Sequence, residues 1–184
     1  MEISNVVVAR FQDGRVVKGI TNDFSPNRPL FHIDPQDGGK AVEIRTRQLK
    51  ALFFVASLQG NREREDVRGF ISGPAETPQG KKIAVRFRDG ELLCGYTLTW
   101  TPERDGFFMF PADPGTNNQR IFVITAATLE IKAGPAADVL AQKVLSGEIA
   151  KDSPKGAGRR PIVPPPWTPR RPEGKEPERP TGTD

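Results

Sequence analysis

The sequence predicts a mainly β protein: two tandem small five-stranded antiparallel barrels, a short C-terminal helix and a disordered Pro/Arg-rich tail. Three observations carry that reading. Residues 10–37 lie over residues 86–113 without a gap, and eleven of the 28 positions are identical, among them Arg10/Arg86, Phe11/Phe87, Asp13/Asp89, Gly14/Gly90, Gly19/Gly95, Arg28/Arg104 and Phe31/Phe107. Unrelated segments of ordinary composition would share about two. Within each copy apolar and polar residues alternate with the period of two of a half-buried strand. Finally, nine of the 18 prolines fall in residues 151–184, which are nearly free of aliphatic side chains and hold too little apolar surface to offset the entropy of ordering.

The elements follow in order. Val7, Ala9 and Phe11 alternate with Val8, Arg10 and Gln12, as Ile83, Val85 and Phe87 do with Ala84, Arg86 and Arg88. Asp13-Gly14 and Asp89-Gly90 tolerate positive φ and mark hairpins into second strands over 15–22 and 91–100. Gly19 and Gly95 lie inside those strands, where a glycine marks a bend that curls a short sheet. Turns at 25–29 and 101–106 lead to third strands at 30–33 and 107–110, closed by Pro35 and Pro111. Val42–Ile44 with Leu49–Val55, and Ile121–Thr125 with Thr128–Lys132, complete about five strands per copy. Such short spacings leave no room for crossover helices. Gly134-Pro135 opens a helix with Val139, Leu140, Val144 and Leu145 on one face. The domain boundaries read from this are 1–56 for the first repeat, 57–80 for a connector with a solvated mixed-charge run at 61–66, 81–133 for the second repeat, 134–150 for the helix and 151–184 for the tail.

The formal charge of +4 on 184 residues is concentrated in that tail, whose eight Lys/Arg and five acids give +3 and leave the body near neutral. The N-terminal residues show no basic segment, apolar stretch and cleavage site of a secretory signal, and no apolar run approaches the roughly 20 residues that span a bilayer. A cytoplasmic protein without membrane contact is expected. One Cys94 and one His32 argue against an intrachain disulfide, a metal centre of His and Cys ligands, and a Cys/His dyad. Cys94 aligns with Lys18 on a partly exposed strand position. His32 replaces Phe108, which suits a position where a ring packs. No phosphate loop, zinc-protease helix or nucleophile elbow is present, so no catalytic residue, metal or cofactor is expected and the protein is read as no enzyme.

Phe24, Trp100, Phe31, Phe107, Phe108 and Phe110 have the chemistry to stack bases, but small β domains need large rings in their cores. The arginines kept through duplication, Arg10 with Arg86 and Arg28 with Arg104, suit either structural ion pairs or two equivalent anion contacts. In the tail, Pro161, Pro164, Pro165, Pro166, Trp167, Pro169, Arg170 and Arg171 form overlapping Pro-x-x-Pro spacings with a Trp anchor and an Arg pair, a pre-extended ligand for an aromatic or acidic groove.

The segment Val7–Gly19, hydrophobic alternation followed by Asp-Gly-x-φ-φ-x-Gly, resembles the first motif of Sm-like proteins, and Ile83–Gly95 repeats it; other SH3-like small barrels share the pattern. The resemblance implies strongly bent five-stranded barrels and, for Sm members that hold single-stranded RNA, contacts at Asp23 and Asn27. Copy two has Thr99 and Glu103 there. The paired segments 11–32 and 95–118 also look like an uncharacterised bacterial domain family associated with signalling and motility proteins. Together these readings give a non-enzymatic cytoplasmic binding or adaptor module that engages a protein partner through duplicated barrels and the Pro-rich tail. The alternatives are an RNA- or single-stranded nucleic-acid-binding protein using Arg10, Asp23, Asn27, Arg28, Arg86 and Arg104, and, third, a cyclic-dinucleotide receptor; the sequence leaves any small-molecule ligand unknown.

Overall fold

Alternation in the first strand places Val7, Ala9 and Phe11 on a buried face, and β1 (Asn5–Phe11) forms with that pattern. A hairpin follows. Phe11 N–H donates to Arg15 O, Gly14 N–H donates to Phe11 O, and Asp13 Oδ1 accepts from Arg15 N–H. The second copy repeats all three bonds at Phe87, Glu91, Gly90 and Asp89. Gly14 and Gly90 take φ of 89° and 85°, the left-handed region in which a side chain is strained.

The computed structural model describes residues 5–60, 63–70 and 76–149; the tail, with every Pro, Trp and Arg singled out in it above, lies outside the described residues. The first copy consists of β1, β2 (Val16–Thr21), β3 (Leu30–Pro35), β4 (Val42–Arg45), a 3-10 turn (Thr46–Gln48) and β5 (Leu49–Val55). A two-residue β6 (Glu76–Thr77) precedes the second copy, which comprises β7 (Gly80–Phe87), β8 (Leu92–Thr97), β9 (Gly106–Pro111), β10 (Asn118–Ile124), a 3-10 turn (Thr125–Ala127) and β11 (Thr128–Ala133). Helix α1 (Pro135–Leu145) follows.

The described strands form one open antiparallel sheet in the order β11-β7-β8-β9-β10-β5-β1-β2-β3-β4, with β6 on β7. Each copy contributes the same internal order, fifth strand beside first, then second, third and fourth. The copies meet where β10 pairs with β5, Ile121 opposite Phe53, Phe122 opposite Leu52 and Val123 opposite Ala51. β5 is therefore paired on both edges, and all seven of its residues are buried. A strand covered on both faces reads as a continuous apolar run, and Leu49–Val55 does so except for Lys50. Residues of both copies share one core, from Val7, Phe31 and Ile44 to Ile83, Phe107 and Val123.

The turn before each third strand is pinned in the same way twice. Thr46 Oγ1 donates to Arg28 O and Thr46 N–H to Pro29 O; Thr125 Oγ1 donates to Arg104 O and Thr125 N–H to Asp105 O. Between second and third strands the chains come unusually close. Gly19 faces Pro35 and Gly95 faces Pro111, and a Cβ would stand 2.0 Å from Asp34 O in one copy and 2.1 Å from Phe110 O in the other.

Helix α1 begins with Pro at its first turn, where a missing N–H costs nothing. Its inward stripe differs from the face predicted above. Ala137, Leu140 and Ala141 are buried and Val144 packs beside them, whereas Val139 and Leu145 are about half exposed. Small residues let the helix approach a sheet closely, so the alanines take the inward stripe while the larger Val139 is left outside.

Gly95→Ala is expected to lower stability by about 2–3 kcal/mol, because backbone and not a flexible side chain occupies the added methyl's place. Chemical denaturation checks it, with Gly147→Ala (φ 77°, nothing within 4 Å) as the control for backbone strain without a clash.

Candidate functional site

The junction brings the charged residues together. Lys50, buried within β5, reaches across to the second copy's hairpin, where Nζ contacts both Asp89 and Glu91 and lies 4.6 Å from the centroid of the Phe87 ring. Arg10 projects outward from β1, its guanidinium 4.8 Å from the Phe53 ring centroid and 3.4 Å from Glu91. Asp89 is held below the ordinary carboxylate range: burial pushes it up, and the Lys50 ammonium and the Glu91 N–H more than offset this. Below the junction Phe24 stacks edge-on against Phe31, Phe54 and Phe122, and Phe108 meets Phe54 and Phe122, with centroids 4.9–5.8 Å apart. Arg120 lies over Phe54 and Phe108 at 4.4 and 5.0 Å. These rings pack against one another as part of the core, the role expected of large rings in a small β domain.

The mixed-charge run of the connector is not simply a solvated face. Arg64 donates to both carboxylate oxygens of Asp113 at 2.6 and 2.7 Å, and Val67 and Gly115 N–H groups donate to the same side chain. Asp113 is buried, and the Val67 N–H first, then Arg64, hold its carboxyl below the usual range. Its duplicate Asp37 is exposed and accepts from Gly39 N–H.

Of the six body residues singled out as anion or nucleic-acid contacts, the structure separates rather than gathers most. Arg10 stands at the junction. Arg86, its duplicate, is buried on β7. Arg28 and Arg104 are exposed on separate turns, where their main-chain carbonyls serve the threonines. Asp23 is taken by His32: the ring Nδ1 lies 2.8 Å from Oδ2 and the His32 N–H donates to Oδ1 at 2.9 Å. Asn27 is exposed in the same turn. His32 thus points outward on β3 and pairs with a carboxylate instead of packing as a ring. That bond raises the imidazole's pKa, and the two His32 bonds lower that of Asp23 against the upward push of burial. Cys94 lies under α1, and burial pushes its thiol up to about 12, too high for a nucleophile at neutral pH.

A groove of about 960 Å³ opens beside the junction on the outer face of β1 and β2, with Val8, Arg10, Val16, Lys18, Leu58 and Asn117 among its lining. Of the six predicted contacts only Arg10 lines it. Sequence reasoning missed Lys50, Thr46, Thr125 and Asp113; a buried Lys in an apolar run and threonines at matching places after each fourth strand were the available signals.

Residues 3–133 match a family described as a family of unknown function, DUF6982. The chain belongs to that family. The matched span of this DUF6982 chain runs through both copies and ends with β11, before α1. No curated protein and no solved structure matches it. Among the described residues no group of three or more His, Cys, Asp or Glu side chains is placed to hold a metal ion, and no helix is long and apolar enough to cross a membrane.

The Lys50 cluster makes an asymmetric prediction. Lys50→Met leaves two partly exposed acids and is expected to change stability by under about 1 kcal/mol, whereas Asp89→Ala with Glu91→Ala strands a buried ammonium and costs about 3 kcal/mol. Paired urea melts of the two variants decide the order.

Proposed function

We propose that the protein is a non-enzymatic binding module that engages a protein partner, built from two Sm-like or SH3-like small barrels joined edge to edge, with the Pro/Arg tail as a second point of attachment. The strand order shared by both copies and the close approaches at Gly19 and Gly95 support the barrel reading. The observation that carries the functional reading is the groove beside the junction, an open face lined by Val8, Val16, Arg10 and Lys18. Cys94 packs, partly buried, beneath α1 and His32 pairs with Asp23, and neither lines that groove.

Nucleic-acid binding is the weaker reading. It asks for cations spread along a surface that accepts phosphates, whereas Arg86 is buried and Asp66, Asp89 and Glu91 line the groove with the cations. A cyclic-dinucleotide receptor gains no support from the arrangement of these arginines.

The test is affinity capture with the full chain and with a Trp167→Ala/Arg170→Ala/Arg171→Ala variant as baits, alongside titration of single-stranded RNA at two salt concentrations. A protein captured stoichiometrically by the full chain and lost from the tail variant is expected, with RNA binding abolished by about 200 mM salt. RNA held at that salt and weakened more than tenfold by Arg28→Ala/Arg104→Ala would overturn the reading in favour of nucleic acid.

A further inference from the structure

The duplication supplies its own template for what the groove takes. In the second copy the outer face of β7 and β8 is covered by α1: Ala84 is fully buried against Ala137 and Leu140, and Leu92 and Cys94 pack beside them. Among the described residues no helix covers the same face of the first copy. Val8, Val16 and Lys18 stand at the positions of Ala84, Leu92 and Cys94, with Val8 opposite Lys18 across β1 and β2 as Ala84 is opposite Cys94 across β7 and β8. Val16 is 51% exposed and Ile20, the counterpart of buried Tyr96, is 39% exposed.

We propose that this uncovered face binds an amphipathic helix of a partner protein, one with a small-residue apolar stripe flanked by acidic side chains. The inference rests on the binding-module reading and names its surface. β1 is hydrogen-bonded on both edges, to β2 and to β5, so an occupant lying over β1 finds no free main-chain groups there and docks through side chains. Beside it, among the described residues, only the outer edge of β2 at Val16 and Val17, before its pairing with β3 at Gly19 and Ile20, lacks a strand partner, and that edge lies to the side of the face. A helix satisfies its own backbone and meets that condition, whereas an added strand does not. Val8 and Val16 hold the places that Ala84 and Leu92 hold under α1, where Ala137 and Ala141 give the helix its close approach, so a small-residue stripe suits the incoming helix.

Charge decides the flanks. In the second copy α1 brings Asp138 to within 2.9 Å of the buried Lys82 ammonium. In the first copy the position of Lys82 is Val6, and the cation has moved to Lys18, exposed and without an ion pair among the described residues. The other basic groups that line the groove are already occupied: Lys50 by Asp89 and Glu91, Arg10 by Glu91, Arg64 by Asp113, Arg15 by Asp13. A carboxylate on the incoming helix is the complement that Lys18 lacks.

The experiment uses the full chain, isotope-labelled for NMR, and two stapled helical peptides as probes. Both carry Ala, Leu, Ala and Val at the spacing of Ala137, Leu140, Ala141 and Val144; one has glutamates and the other lysines at its remaining positions. The glutamate peptide is expected to shift amides of β1 and β2 around Val8, Val16 and Lys18, and to bind at least tenfold tighter than the lysine peptide. Val16→Asp should abolish those shifts, and Lys18→Glu, an exposed change that leaves the core untouched, should invert the preference between peptides. No shift, or shifts confined to β4 or β11, would overturn the proposal. So would concentration-dependent self-association of the chain lost in Val16→Asp, which would make a second copy the occupant, or displacement of the peptide by an equimolar uridine-rich RNA. If the peptides fail while the tail-dependent partner is still captured, this surface is refuted and the binding-module reading stands.

Discussion

The structure depends on one strand pair, β5 with β10. A fifth strand that belonged only to its own copy would leave an edge of unpaired N–H and C=O groups, and Leu49–Val55 would expose an apolar face on that edge. Pairing with β10 removes both problems at once. Ala51 and Phe53 continue the second copy's inner surface beside Ile121 and Val123, while Phe122 continues the first copy's inner surface beside Leu52. The two cores are in this sense one, and neither copy can lose the junction without exposing apolar residues of the other.

The same duplication explains why the sheet stops where it does. Its ends, β4 and β11, are the counterparts of the two strands that pair at the junction. Where the junction has Phe108 and Phe122, the free end of the first copy has His32 and Glu43; where it has Ala51 and Phe53, the free end of the second copy has Glu130 and Lys132. Glu130 and Lys132 pair with each other at 3.5 Å, and His32 with Asp23. Joining these ends as β5 and β10 are joined would bury charges where rings and an alanine now sit, a cost of several kcal/mol per ion. Charge on an edge is a common device against further strand addition. The outer faces diverged similarly: one took α1 and small residues, the other kept exposed valine and isoleucine with a lysine.

The local grammar of the fold was legible in the residues. Asp-Gly hairpins, alternation in β1 and β7 and the mid-strand glycines stated their roles because each is decided by neighbours a few positions away. The junction was not legible, since it joins residues about 70 apart and both strands merely read as apolar. The repeat also loses its constant shift: Phe31 pairs with Ile44 but Phe107 with Val123, so the second copy carries three more residues before its fourth strand, and Thr46 and Thr125 fall out of register with the earlier identities. Arg64 and His32 were misread for a similar reason, because a distant buried Asp113 and an Asp23 nine residues away decide where they point. The groove itself was invisible from sequence, because its counterpart in the second copy is covered by α1 and among the described residues no helix covers the first copy's face.

Native-state hydrogen exchange tests the shared core most directly. If the junction unites the copies, the amides of β5 and β10 exchange slowest and share one opening free energy with those of β1 and β9, so that both copies open together. Two separate opening energies, with β5 protected less than the second and third strands of its own copy, would contradict the account and make the repeats independent units.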